Sequence, residues 1–153
     1  MSHGQQELRT HRADTRSIGI SAAPGDVFAF VADPSNLPQW AVGFCRSIRR
    51  GQDDRWLVTT ASGEIPIRFE SDPTAGTIDF FFSVAPGLEA AAFSRVVPNG
   101  DGAEYIFTQF QIDGMPSEVF EAQVQALIGE MQVLRGVIHA RSACRPMLVQ
   151  EER

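Results

Sequence analysis

Pro116-Ser117-Glu118-Val119-Phe120-Glu121-Ala122-Gln123-Val124-Gln125-Ala126-Leu127-Ile128-Gly129-Glu130-Met131-Gln132-Val133-Leu134-Arg135-Gly136-Val137-Ile138-His139-Ala140-Arg141-Ser142 is the stretch that decides the fold. Within it Phe120, Val124, Leu127, Met131, Leu134 and Ile138 recur at gaps of four and three. That spacing stacks the six side chains on one face of an α-helix. At about 1.5 Å per residue the rod is roughly 40 Å long. Pro116 suits the first turn, where a missing N–H costs nothing, and Glu118 and Glu121 lie near the positive end of the dipole. Arg135, His139, Arg141 and Arg145 gather at the negative end, and Pro146 is expected to stop the run. A helix with one apolar stripe needs a broad apolar surface to lie against.

The preceding residues supply that surface. Period-two alternation predicts strands at Phe44–Arg50, Arg55–Thr60, Glu64–Ser71, Thr77–Val84, Leu88–Val97 and Glu104–Gln111. The gaps between them are short and hold Gly, Asp or Pro, so each closes a hairpin. Parallel pairing would need crossovers of a dozen residues or more, which these gaps cannot hold. The six runs therefore form an antiparallel meander. Ile18 and Ile20 mark an earlier strand at Arg16–Ser21, available to extend the sheet. Ala22-Ala23-Pro24-Gly25-Asp26 breaks that strand and opens a short helix over Val27–Ala32. Asp33-Pro34-Ser35-Asn36 is a turn or N-cap cluster leading to a second short helical piece around Trp40 to Gly43. Ile65, Ile67 and Phe69 share one sheet face and Glu64, Arg68 and Glu70 the other, as in a sheet covered by a helix on one side. The pattern leaves open which face of Glu104–Gln111 meets the helix. Residues 1–15 read as a flexible N-terminal arm, 16–145 as one domain and 146–153 as a tail.

Composition removes several function classes. The 153 residues carry a formal charge of −6, which argues against binding a phosphate backbone or a polybasic contact with a membrane surface. No apolar run reaches the length of a membrane span and the first residues lack a signal-peptide core, so the expected location is cytoplasmic. All 13 basic residues are arginine. With no lysine, Schiff-base chemistry, pyridoxal phosphate attachment and a Walker-type phosphate lysine are excluded. Three scattered histidines and the distant Cys45 and Cys144 make no metal cluster, and the cysteines read as reduced structural thiols. G-x-S-x-G, G-x-G-x-x-G and P-loop spacings are absent, and no cofactor is expected.

Strand, two short helices, six antiparallel strands and a long C-terminal helix is the order of the helix-grip fold. The text Ile18-Gly19-Ile20-Ser21-Ala22-Ala23-Pro24-Gly25-Asp26-Val27-Phe28-Ala29-Phe30-Val31-Ala32-Asp33-Pro34, followed by Leu37-Pro38-Gln39-Trp40, resembles the START-like superfamily in its polyketide cyclase/dehydrase, or SRPBCC, branch. The resemblance spans about residues 16 to 142. It implies an α+β fold in which a seven-stranded antiparallel sheet curls around the C-terminal helix and encloses an apolar cavity. The superfamily includes lipid carriers, hormone and allergen-type binders, aromatase/cyclases, oxygenase domains and chaperone activators, so it implies no catalytic residue.

On that expectation Trp40, Trp56, Phe69, Phe80, Phe82, Phe93, Tyr105 and Phe107 line the cavity from the sheet side, and Leu127, Met131 and Leu134 from the helix. Ala90-Ala91-Ala92 leaves room between them. The alternative for each aromatic is plain core packing. Acid–base chemistry would require a carboxylate or histidine held inside with a shifted pKa. Glu130 borders the apolar stripe and is the first candidate, although a Glu at a stripe edge more often reaches water. Gln123 lies on the same edge, and Tyr105 can donate a hydrogen bond to a ligand carbonyl or merely pack with its hydroxyl at the rim. His139 lies off the stripe, where it is expected to meet the helix dipole. Three functions follow: binding of a small, largely apolar lipid, polyketide or aromatic metabolite; a cofactor-independent cyclase or dehydratase using Glu130 and Tyr105; or a protein-interaction module. A homodimer is compatible with each.

Overall fold

The computed structural model describes residues 7–151, with side chains from 7 to 143. Helix α3 runs through Pro146 to Glu151, so the stop expected at Pro146 does not occur and the expected tail is helical as far as Glu151. His3 and the side chains of Cys144 and Arg145 lie outside the described residues. Seven strands form one antiparallel sheet: β1 (Ala13–Ile20), β2 (Ser47–Arg50), β3 (Trp56–Thr60), β4 (Gly63–Asp72), β5 (Thr77–Ala85), β6 (Leu88–Asn99) and β7 (Gly102–Phe110). Their order in the sheet is β1-β7-β6-β5-β4-β3-β2, a meander that the first strand extends beyond the last. Helices α1 (Pro24–Ala32) and α2 (Leu37–Trp40) follow β1, and α3 (Ser117–Glu151) closes the chain. This is the helix-grip architecture.

The stripe on α3 behaves as its spacing dictates: Phe120, Val124, Leu127, Met131, Leu134 and Ile138 are all buried. Pro116 precedes the helix rather than opening it, and its carbonyl accepts from the N–H groups of Val119 and Phe120. Asp33 caps the 3-10 turn Pro34–Asn36, its carboxylate accepting from the Ser35 N–H.

Turn chemistry fixes the hairpins. Between β2 and β3, Asp53 and Asp54 both take positive φ, +55° and +60°, the pattern of a type I′ turn. At Gly76, φ +76°, a Cβ would lie 2.4 Å from the Val96 carbonyl oxygen, so the β4–β5 turn can lie against β6 only without a side chain there.

Several boundaries differ from expectation. β1 begins at Ala13, so residues 13–15 are strand and not arm. Their polar run hid them, because β1 is an edge strand held through its backbone: Ala13 pairs with Phe110, and Gln111 N–H donates to the Arg12 carbonyl. β2 begins at Ser47, since residues 41–45 fold into a turn closed by the Cys45 N–H donating to the Ala41 carbonyl. The second short helix ends at Trp40 instead of beginning there. His139 does not meet the negative end of the dipole, because α3 runs on well beyond it to Glu151. Its Nε2 instead accepts from the Ser21 N–H at 2.9 Å, fastening α3 to the turn after β1.

On β7, Tyr105, Phe107 and Gln109 take the covered face, which settles the alternation that the sequence left open. No helix among the described residues is long and apolar enough to cross a membrane.

Candidate functional site

Between the covered face of the sheet and α3 lies a cavity of about 440 Å³, within the usual range for a small-molecule site. Each element has a reason to leave space there. On β6, Ala90 and Ala92 stand in register with Phe82 and Phe80 of β5, so small side chains face large ones. The β3–β4 turn contributes Ser62, the end of β5 contributes Val84, and the segment between β7 and α3 contributes Ile112 and Met115. A wider depression of about 560 Å³ lies at the opposite end of the sheet, around Ser21, Asn99 and Asp101. It has no aromatic side chain on its walls and is open to solvent.

The aromatic wall is continuous. Phe44 meets Phe82 edge-on at 5.7 Å, Phe82 stacks with Phe80 at 6.4 Å, and Phe80 leans on Phe107 at 5.8 Å. Of the residues expected at the cavity, Phe80, Phe82, Phe107, Trp40, Leu127, Gln123 and Glu130 border it.

Six of the expected residues do not. Phe93 is 42% exposed, on the outer sheet face, where it meets Phe81 and Phe110. Strand alternation requires this, since Phe93 follows the inward Ala92 by one residue. Trp56 shares the inner face through its pairing with Ile67 but stands away from the cavity, under the Arg50 guanidinium. Phe69 packs edge-on against Phe80 as core. Tyr105, Met131 and Leu134 are buried in the core and do not border the cavity. The sequence reading missed Phe44, Ile65, Ile67, Gln109, Ile112, Met115 and Ala126, which do border it. Ile65 and Ile67 carried the alternation signal, and Ala126 sits one residue before the stripe's Leu127. Phe44 and Met115, in irregular segments, carried none.

Glu130 is the one ionisable side chain on the wall among the described residues. It is 8% exposed, and its Oε2 accepts from the Gly43 N–H at 2.9 Å. Burial pushes its pKa from 4.5 to about 7, while the backbone N–H groups of Gly43 and Phe44 pull it down. No arginine or histidine among the described residues pairs with it. Burial, aided by the Glu130 charge, pushes the neighbouring Cys45 thiol up to about 11, so this free cysteine is inert at neutral pH. Tyr105 is likewise raised, chiefly by complete burial, against a small opposite pull from Ser94 and with a further push from Glu130. Its hydroxyl, Trp40 Nε1 and Gln109 Nε2 have no hydrogen-bond partner of good geometry among the described residues. Nor do those residues hold a cluster of metal ligands.

No protein-family model and no curated protein matches the chain. Solved structures do match it. XoxI from Bacillus cereus superposes with a TM-score of 0.67 at 14% identity, over 82% of this chain and 94% of that one. Ara h 8.0201 gives 0.65 at 15%, over 86% and 99%. The di-domain ARO/CYC BexL from the BE-7585A biosynthetic pathway gives 0.65 at 19%, over 82% of this chain and 45% of that one. At such identities the likeness concerns the fold. Sheet and grip helix together define a helix-grip fold, which these structures share.

Proposed function

We propose that this protein binds a small, largely apolar molecule in the cavity between the sheet and α3. The observation that carries the reading is the cavity itself, about 440 Å³ walled by Phe80, Phe82, Phe107 and Leu127. Burial of ligand carbon against these side chains supplies roughly 25 cal/mol per Å², and the polar groups of Gln123, Gln109 and Glu130 fix orientation. Lipids, polyketides and aromatic metabolites all have the required character. A pure interaction module has no use for such a cavity, which weighs against that alternative. Native mass spectrometry of protein purified gently from its own host tests the reading. An extra mass released on denaturation supports it; a bare protein that also takes up no apolar probe overturns it.

A second reading has its own observation. Glu130, titrating near neutrality inside the cavity, has the character of a general acid–base and favours proton transfer on a bound carbonyl substrate. The partner first considered, Tyr105, is fully buried and does not border the cavity, so Glu130 would act without it. Glu130→Gln separates the readings: a cyclase or dehydratase loses turnover by at least about 100-fold, while a binder loses none.

A further inference from the structure

We propose that the ligand is an amine: a protonated nitrogen carried on an apolar or aromatic body, with Glu130 as its counter-ion and the phenylalanine wall as its housing. The inference rests on the ligand-binding reading above and narrows it to one chemical class.

The argument begins with what a buried carboxylate lacks. Ionised, Glu130 needs compensation that one or two backbone N–H groups only partly give. The usual protein solution is a neighbouring arginine or lysine. This chain has no lysine, and no arginine borders the cavity or pairs with Glu130 among the described residues. The titratable groups that face it from other elements, the Cys45 thiol after α2 and the Tyr105 hydroxyl on β7, are both neutral at pH 7. Once Glu130 has ionised, above about pH 7, the site thus offers one negative charge and no positive one.

The surroundings suit a cation. Aromatic faces attract cations through their quadrupole, and ammonium groups are held in cages of aromatic rings. Glu130 is bonded to Gly43, and the next residue, Phe44, places its ring against Phe82 at the start of the wall that runs on to Phe80 and Phe107. Counter-ion and aromatic faces therefore adjoin. A formal charge of −6 over the chain also raises the local concentration of cations over anions. An anionic ligand would meet the opposite of each of these features.

Two isosteric fluorescent probes test the proposal: 1-naphthylmethylamine, charged at pH 8, and 1-ethylnaphthalene, in which a methyl replaces the ammonium. With wild-type protein at pH 8 the amine should bind about tenfold tighter or better, and Glu130→Gln should reverse that order. Binding of 1-ethylnaphthalene to the variant confirms that it is folded. If the variant does not fold, calorimetry of the wild type at pH 6.5, in buffers of different ionisation enthalpy, decides. The amine should expel a proton from Glu130, and 1-ethylnaphthalene should expel none. Equal or weaker binding of the amine, without proton release, overturns the proposal and leaves the apolar-cavity reading standing. Failure of both probes to bind overturns both.

Discussion

The carboxylate of Glu130 on α3 accepts a hydrogen bond from the backbone N–H of Gly43, in the turn after α2, at 2.9 Å. This bond ties the grip helix to the segment that carries Phe44, and it does so with the one ionisable group on the cavity wall among the described residues. Glycine matters to it: a Cβ at position 43 would stand 3.1 Å from Oε2 and 3.5 Å from the Ala126 Cβ. Gly43→Ala should therefore push the carboxylate away and weaken a bond that favours its ionised form. The expected result is an upward move of the Glu130 titration from about 7, read by carbon NMR of the side-chain carboxyl. An unchanged titration would mean that the bond does not hold the group.

The same burial makes stability depend on pH with a definite sign. Glu130 titrates near 4.5 when exposed and near 7 in the fold, so between those values the folded state holds a proton that the unfolded state has released. Its contribution is fully present below about pH 4.5 and is lost as pH rises towards and through 7. The loss is on the order of 3 kcal/mol. Asp79 is also raised, through burial and then the neighbouring Glu70, so the wild-type slope alone does not isolate Glu130. Denaturant unfolding of wild type and Glu130→Gln at pH 5 and pH 8 does: the variant should gain on the wild type as pH rises. A constant difference would place the carboxyl in water.

Sheet, grip helix and apolar stripe were legible because each is periodic. Leu127 and Glu130 followed from α3 spacing, and Phe80 and Phe82 from β5 alternation. Phe93 shows where residue type misled: aromatic character suggested a wall, whereas its place one residue beyond Ala92 required the outer face. Phe44 and Met115 were illegible for another reason. They lie in irregular turns, whose course is set by tertiary contacts such as the Gly43–Glu130 bond. Tyr105 was ambiguous because Ile106 and Phe110 made the other face of β7 equally apolar.

That contrast can be measured. Phe80→Ala removes a buried ring at the centre of the wall and should cost about 3–5 kcal/mol. Phe93→Ala, on the solvent face, should cost less than about 1 kcal/mol and leave probe binding unchanged. Comparable losses in denaturant midpoint would contradict the assignment of faces.

Tyr105 makes a sharper case. Its hydroxyl is buried without a well-formed hydrogen bond, so Tyr105→Phe removes a group that already bears its desolvation cost. Stability should hold or rise by up to about 1 kcal/mol, and probe affinity should not move. A loss of stability above about 1 kcal/mol would reveal a partner for the hydroxyl, such as an ordered water. A loss of affinity alone would return Tyr105 to the site.

Ala90 tests whether the empty space is the binding site. It stands opposite Phe82 in register and borders the cavity half-buried; Ala92, opposite Phe80, also borders the cavity but is almost fully buried in the core. A phenyl ring at 90 has the cavity to enter; one at 92 has packed side chains to displace. Ala90→Phe should therefore leave the unfolding midpoint nearly unchanged, while Ala92→Phe overpacks the core at about 1–3 kcal/mol. If ligands enter between sheet and helix, Ala90→Phe also weakens 1-ethylnaphthalene binding by at least about tenfold, or about 1.4 kcal/mol. Stability intact with affinity lost is an outcome that a general packing defect cannot produce. Stability and affinity both intact would move the binding site out of this cavity.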